Sequence, residues 1–152
     1  MVNIYSESNQ VKKKLVIKDI LNDLPEWFGM PEAIQEYVDF GMEYPLYVAS
    51  KNSEVVGFIS LKETSLKTVE IYCMGVKKEY HHQGIGRMLI EKIKEACCEQ
   101  YDYLQVKTVA KGHYPQYDAT SNFYESVGFC ELEVFPTLWD EWNPCLVLIQ
   151  KI

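Results

Sequence analysis

Two glycines one residue apart stand in the run Tyr80-His81-His82-Gln83-Gly84-Ile85-Gly86-Arg87-Met88-Leu89. That spacing suits the binding of a phosphate group. Glycine lets a backbone approach an anion with no side chain in the way. The residues from Ile85 onward read as a helix, and Val69 to Val76 before the glycines read as a strand. The first N–H groups of a helix lack intrahelical partners and carry the positive end of its dipole, so strand, glycine turn and helix start together form an anion cradle. Arg87 in the first turn opposes the dipole unless an anion is near. The plainer alternative is an ordinary turn with Arg87 paired to Glu91 four residues on. Two other phosphate loops are excluded. No Lys-Ser or Lys-Thr follows Gly86, and Leu89 stands where a dinucleotide loop needs its third glycine.

A second chemical group lies in the strand itself. Alternation puts Val69, Ile71 and Cys73 on one face and Glu70, Tyr72 and Met74 on the other. A carboxylate flanked by Val69 and Ile71 is a poor packing residue, and burial raises a carboxylate's pKa towards the range of a useful base. The alternatives for Glu70 are a general base, or a sheet-edge or structurally paired carboxylate. Cys73 on the opposite face reads as a small buried thiol. Gly75 marks a bulge or the close approach of another backbone. His81 and His82 lie in the glycine loop, where main-chain contacts outweigh rings. His113 reads as a loop residue. No metal ligand set is in view.

The elements that must position these groups follow from periodicity and punctuation. Val2 to Tyr5 forms a short strand. Asn9 to Leu24 is an amphipathic helix with Val11, Leu15, Ile20 and Leu24 as inner positions, ended by Pro25. Pro31 to Phe40 is a second helix with Pro31 in its first turn. Leu46 to Ala49 and Val55 to Leu61 are strands joined at Lys51-Asn52-Ser53. Ile85, Leu89, Ile93 and Ala96 make one stripe of the helix after the glycines. Tyr103 to Val109 is a strand, Lys111 to Gln116 a loop, and Ala119 to Val127 a helix with Asp118 as N-cap and Gly128 as its stop. Cys130 to Phe135 and Cys145 to Ile149 close the sheet. Trp27, Phe28, Trp139 and Trp142 fall in loops, where they cap the core, wall a pocket or meet a second copy.

The stretch Val69 to Ile93 resembles the central motif of the GNAT superfamily of N-acetyltransferases. In that family a strand ending in apolar-x-Val leads into Arg/Gln-x-x-Gly-x-Gly/Ala and a helix. A second segment, Asn122-Phe123-Tyr124-Glu125-Ser126-Val127-Gly128-Phe129, is similar to the family's Phe-Tyr-x-x-x-Gly-Phe. The resemblance runs from about Tyr44 to the C-terminus. His81 stands where the family usually has Arg or Gln, and Tyr117 where it often has Asn.

The resemblance implies a single domain over residues 1–152. It would be an α/β fold with a mixed, mainly antiparallel sheet and helices on both faces. It implies acetyl-coenzyme A as cosubstrate, its pyrophosphate against His81, His82, Gln83, Gly84, Ile85, Gly86, Arg87 and Met88. The pantetheine arm would pair with the main chain of Met74 and Val76. The reaction would be direct attack of a primary amine on the thioester in a ternary complex. Tyr124, a phenol protonated near neutral pH, would donate a proton to the departing thiolate, the alternative being a core tyrosine. Glu70 sits on the strand where some family members carry a glutamate base. The rival class is a non-catalytic acyl-coenzyme A binder acting as a sensor or interaction subunit.

Composition narrows the setting. The 152 residues carry a formal net charge of −7 with 47% hydrophobic residues, enough for a core in one domain. An acidic chain lacks the basic footprint of a nucleic-acid binder and suits a cationic amine. No apolar run approaches a membrane span, and the N-terminus lacks a signal-peptide pattern, so the expectation is a soluble cytoplasmic protein. Five cysteines in no zinc-like spacing read as reduced thiols. The acceptor amine is not legible, and a homodimer is compatible with the family.

Overall fold

Seven strands and four helices make up the chain in the computed structural model, which describes all residues from Met1 to Ile152. They are β1 (Val2–Glu7), α1 (Gln10–Asn22), α2 (Pro31–Gly41), β2 (Leu46–Lys51), β3 (Glu54–Ser65) and β4 (Thr68–Val76). After a 3₁₀ turn (Lys78–Tyr80) come α3 (Ile85–Cys97), β5 (Tyr103–Val109), α4 (Pro115–Ser126), β6 (Cys130–Asp140) and β7 (Asn143–Lys151). The strands hydrogen-bond in the order β1-β2-β3-β4-β5-β7-β6. The β1–β2, β2–β3, β5–β7 and β6–β7 pairs are antiparallel. This is the mainly antiparallel α/β fold that the motifs imply. The chain forms two compact units, one of residues 1–62 and 71–96, the other of residues 63–70 and 97–152.

In the first unit, α1 covers one face of the strands. Asn9 caps it, its side chain accepting from the Lys12 N–H at 3.0 Å. Ile17, Ile20, Leu21 and Leu24 are buried with Val38, Leu46, Val48, Phe58 and Cys73 in one cluster. Each such side chain contributes about 1.5–3 kcal/mol of burial. The expected inner positions Val11 and Leu15 are instead exposed, at 66% and 64%. The true stripe is Lys13, Ile17, Ile20, Leu21 and Leu24, and a lysine at its head hides it from a hydrophobicity reading. Lys13 is tolerated there because its Nζ donates to the Tyr44 carbonyl at 2.8 Å, while its stem packs.

The other face carries α3. Phe58 points into the α1 cluster, whereas a Cβ on neighbouring Gly57 would lie 3.5 Å from Leu89 of α3. Adjacent strand residues face opposite sides, so β3 is sandwiched. Gly75 of β4 has the packing reason expected of a strand glycine. A Cβ there would stand 2.9 Å from Leu24 Cδ1 and 3.0 Å from Ile20 Cγ2, so α1 can lie this close only over a bare backbone. Another backbone is close as well, since a Cβ on Gly57 would stand 3.1 Å from the Gly75 carbonyl oxygen.

In the second unit, β7 is the middle strand, paired along its length to β5 and to β6. Three local expectations are corrected. Helix α4 starts at Pro115, with Tyr114 as N-cap, because proline's fixed φ suits the first helical position. Asp118 is therefore inside the first turn, where it accepts from the Gly112 N–H at 3.0 Å. Strand β6 runs on to Asp140, so Trp139 lies in a strand and not a loop. A register shift between Phe135 and Asp140 explains why period-two patterning fails there. Asp140 then tightens the turn, accepting from the Trp142 and Asn143 N–H groups, each at 2.9 Å. The Asn143 side-chain amide, with those backbone bonds behind it, holds its pKa below the usual carboxylate range. Gly128, with φ of 108°, ends α4 as the sequence suggests.

Candidate active site

The glycine loop belongs wholly to the first unit and is tied down before α3 begins. The Lys77 N–H donates to the Val56 carbonyl at 2.9 Å, and the Lys78 N–H to Asp23 Oδ2 at the end of α1 at 2.8 Å. Tyr80 gives its hydroxyl to Glu54 Oε2 at 2.6 Å. That bond is the main reason the Glu54 pKa is lowered and the Tyr80 pKa raised. Lys51 Nζ donates to Gln83 Oε1 at 2.9 Å. His81 Nε2 donates to the Val76 carbonyl at 2.6 Å, so its ring bridges the end of β4 to the loop. The residue that replaces the family's Arg or Gln thus acts on the main chain of its own strand.

Two residues of this loop have left-handed backbones, His82 (φ 62°) and Gly84 (φ 81°). A histidine there is strained by an amount of order 1 kcal/mol, and such strain concentrates where a backbone must present its N–H groups to a ligand. A Cβ on Gly84 would meet no protein atom within 4 Å, so glycine is required for its backbone angle, not for room among neighbours. Helix α3 follows at once, its first ladder bond running from the Met88 N–H to the Gly84 carbonyl at 3.0 Å. That bond commits Met88 to the helix and leaves the N–H groups up to Arg87 as the first-turn donors. His82, Gln83, Gly84, Arg87 and Met88 are exposed, while Ile85 is buried and anchors the helix start.

Along β4, Met74 and Val76 are half-buried and Cys73 buried. Burial alone pushes the Cys73 thiol far above the range of a usable nucleophile. Tyr72 meets Tyr44 and Tyr37 edge-on, with centroids 5.0 and 5.4 Å apart, and Tyr37 meets Phe28 at 5.7 Å. Trp27 lies edge-on to His81 at 6.0 Å. Of the four aromatics assigned to loops, Trp27 and Phe28 are therefore half-buried against the first unit, while Trp139 and Trp142 are exposed.

Glu70 belongs to the second unit and is only 6% exposed. Its Oε1 accepts from Gln105 Nε2 at 2.9 Å and pairs with Lys107 Nζ at 3.2 Å. Both partners come from β5, two residues apart and hence on one face. Sequence reasoning missed them. The available signal was the alternation of Gln105 and Lys107 with the inward residues Leu104, Val106 and Thr108.

Tyr124 is buried in the same unit, its ring 5.5 Å from Phe129 and from Phe123. Thr120, one turn earlier, donates to the Gln116 carbonyl at 3.0 Å. His113 is exposed, as expected of a loop histidine. All five cysteines are free thiols. No group of three or more His, Cys, Asp or Glu residues is arranged to hold a metal ion.

Comparison with known proteins places this arrangement of sheet, glycine turn and helix start in a family. The GNAT acetyltransferase domain matches residues 43–131, and the chain belongs to that family. An uncharacterised N-acetyltransferase of Chlorobaculum tepidum is 27% identical over 103 residues, which are 65% of this chain and 60% of that protein. A GNAT-family structure from Desulfovibrio desulfuricans superposes with a TM-score of 0.83 at 18% identity, covering 99% of both chains. A GNAT-family acetyltransferase from Elizabethkingia anophelis with acetyl-CoA bound gives 0.74 at 19% identity, covering 99% of this chain and 98% of that one. No helix of the chain is long and apolar enough to cross a membrane.

Proposed function

We propose that the chain, acting over residues 1–152 as one acetyltransferase domain, transfers acetyl from acetyl-coenzyme A to a primary amine. The observation that carries this reading is the tied-down loop with left-handed His82 and Gly84 directly before α3. Its N–H groups from His82 to Arg87 would hold the pyrophosphate, with the helix dipole behind them, and Arg87 would add its charge. His81, Gln83 and Met88 shape that loop. Met74 and Val76 would offer main-chain groups to the pantetheine arm, and the bond from His81 to the Val76 carbonyl fixes the strand end that receives it.

Transfer by direct attack asks for a proton acceptor for the amine and a proton donor for the leaving thiolate. Tyr124 is the proposed donor, its ring held by Phe123 and Phe129. Glu70 is the proposed base. A second reading is favoured by the Lys107 pair: Glu70 then organises β5 and water or the bulk solvent takes the amine proton. No metal enters either reading. Release of free thiol from acetyl-coenzyme A in the presence of an amine panel tests the proposal. Tight acetyl-coenzyme A binding with no thiol released by any amine would favour a sensor or interaction subunit instead.

A further inference from the structure

Lys51, Lys77 and Lys78 all stand at the glycine loop, and carboxylates neutralise the last two. Lys77 Nζ lies 3.2 Å from Asp19 Oδ2 and 3.3 Å from Glu54 Oε1. Lys78 Nζ lies 2.7 Å from Glu26 Oε1, and its N–H donates to Asp23. Four carboxylates thus meet two lysines at the foot of the loop, which leaves a surplus of negative charge. That surplus opposes a polyanion, so binding one asks for a cation that no carboxylate neutralises. Lys51 is such a cation. It ends β2 and takes part in no salt bridge. Its Nζ donates to Gln83 Oε1 at 2.9 Å and stands 5.9 Å from the centre of the Tyr80 ring. An amide and a phenol ring are neutral partners, which hold the ammonium without cancelling its charge.

Backbone geometry fixes where that charge sits. Only Asn52 and Ser53 separate Lys51 from its cross-strand partner Glu54, and both are left-handed, with φ of 53° and 67°. Two such residues make the tight hairpin whose twist matches its strands, so the Lys51 backbone is held at the strand end. Glu54 opposite is already engaged by Tyr80 and Lys77. Lys51 meets the loop through the exposed Gln83 side chain and not through main-chain N–H groups. It therefore lies beside the proposed pyrophosphate cradle and not in it. The coenzyme carries a second anionic group, the 3′-phosphate of its ribose, and a phosphate monoester holds about 1.5–2 negative charges near neutral pH. This step rests on the acetyltransferase reading. We propose that Lys51, oriented by Gln83 and Tyr80, binds the ribose phosphate of acetyl-coenzyme A and makes the site select it over a coenzyme that lacks this group.

The test is calorimetric affinity for coenzyme A against dephospho-coenzyme A, which lacks only that phosphate. The kcat/KM of their acetyl thioesters is measured alongside. The parent should bind coenzyme A about tenfold more tightly, as a charge-assisted hydrogen bond to phosphate provides, and the margin should shrink as salt is raised. Lys51→Met should remove the margin by weakening coenzyme A alone, while Lys51→Arg keeps it. Equal binding of the two coenzymes by the parent overturns the inference and leaves the acetyltransferase reading standing. So does a Lys51→Met variant that keeps the parental margin, or one that weakens both coenzymes equally, the result of a lysine that only props the loop. Failure of the parent to bind either coenzyme overturns both.

Discussion

The glycine loop of the first unit and the Glu70–Tyr124 region of the second make opposite demands on the sequence. In the loop, the groups proposed to meet a ligand are main-chain N–H donors, and side chains work mainly to hold the backbone. Lys51, Glu54, Tyr80 and His81 all do so. Replacing the family's usual Arg or Gln with His81 is therefore compatible with the cradle, since one ring nitrogen restrains the strand end. In the second unit, single side-chain atoms matter: one carboxylate oxygen of Glu70 takes both Gln105 and Lys107, and one phenol is the proposed donor. Function built on backbone tolerates many substitutions but few changes of φ. Function built on side chains tolerates the reverse.

The sharpest way to break this contrast is at the glycines. Gly86→Val, which puts a branched side chain in the first turn of α3, should abolish acetyl-coenzyme A binding in calorimetry with the fold retained by circular dichroism. Gly84→Val should do the same for a different reason, because a β-branched residue disfavours φ of 81° and the loop must flip. A folded variant with the parent affinity would remove the phosphate-loop reading.

Next in size is Tyr124→Phe, which deletes one hydroxyl and keeps the packing on Phe129. Turnover should fall about 10²–10⁴-fold with acetyl-coenzyme A affinity unchanged; parental turnover would leave Tyr124 as a core residue only. Glu70→Gln then separates the two readings of that carboxylate. As a base, its loss hurts most at low pH, where the amine is mostly protonated, and recovers as pH rises and the neutral amine accumulates. As a structural group, its loss lowers stability and shifts activity equally at every pH. Lys107→Met should destabilise the fold by about 1–3 kcal/mol in either case, since Glu70 then stays buried without its cation.

Smaller effects probe the framework. Gly75→Ala pushes a methyl against Leu24 and Ile20 and should cost about 1–3 kcal/mol in urea unfolding. Cys73→Ala should leave turnover near the parent value, because the thiol is buried and held protonated. Dialysis against a chelator should change nothing. An acetyl-enzyme trapped on Cys73, or activity restored by added zinc, would contradict these two expectations.

The motifs around Gly84, Gly86 and Tyr124 and the alternation of β4 were legible because they depend on residues close in the chain. Glycines before a helix, a proline at a helix start and period-two burial are local consequences of backbone sterics. The same locality explains what was missed. The buried stripe that α1 presents begins with Lys13, whose ammonium is satisfied by a hydrogen bond to the Tyr44 carbonyl, 31 residues away. The length of β6 depends on a register shift against β7. The partners of Glu70 lie 35 and 37 residues on, across a strand pairing that no short-range pattern encodes. Phe28, Tyr37, Tyr44 and Tyr72 meet edge to face although they are spread over positions 28 to 72. By itself the sequence determined that a glycine turn stands directly before a helix and that a carboxylate sits between apolar neighbours in a strand. Only the tertiary structure decided which polar groups were satisfied and which rings met, because hydrogen bonding and packing depend on distances in space that chain separation does not set.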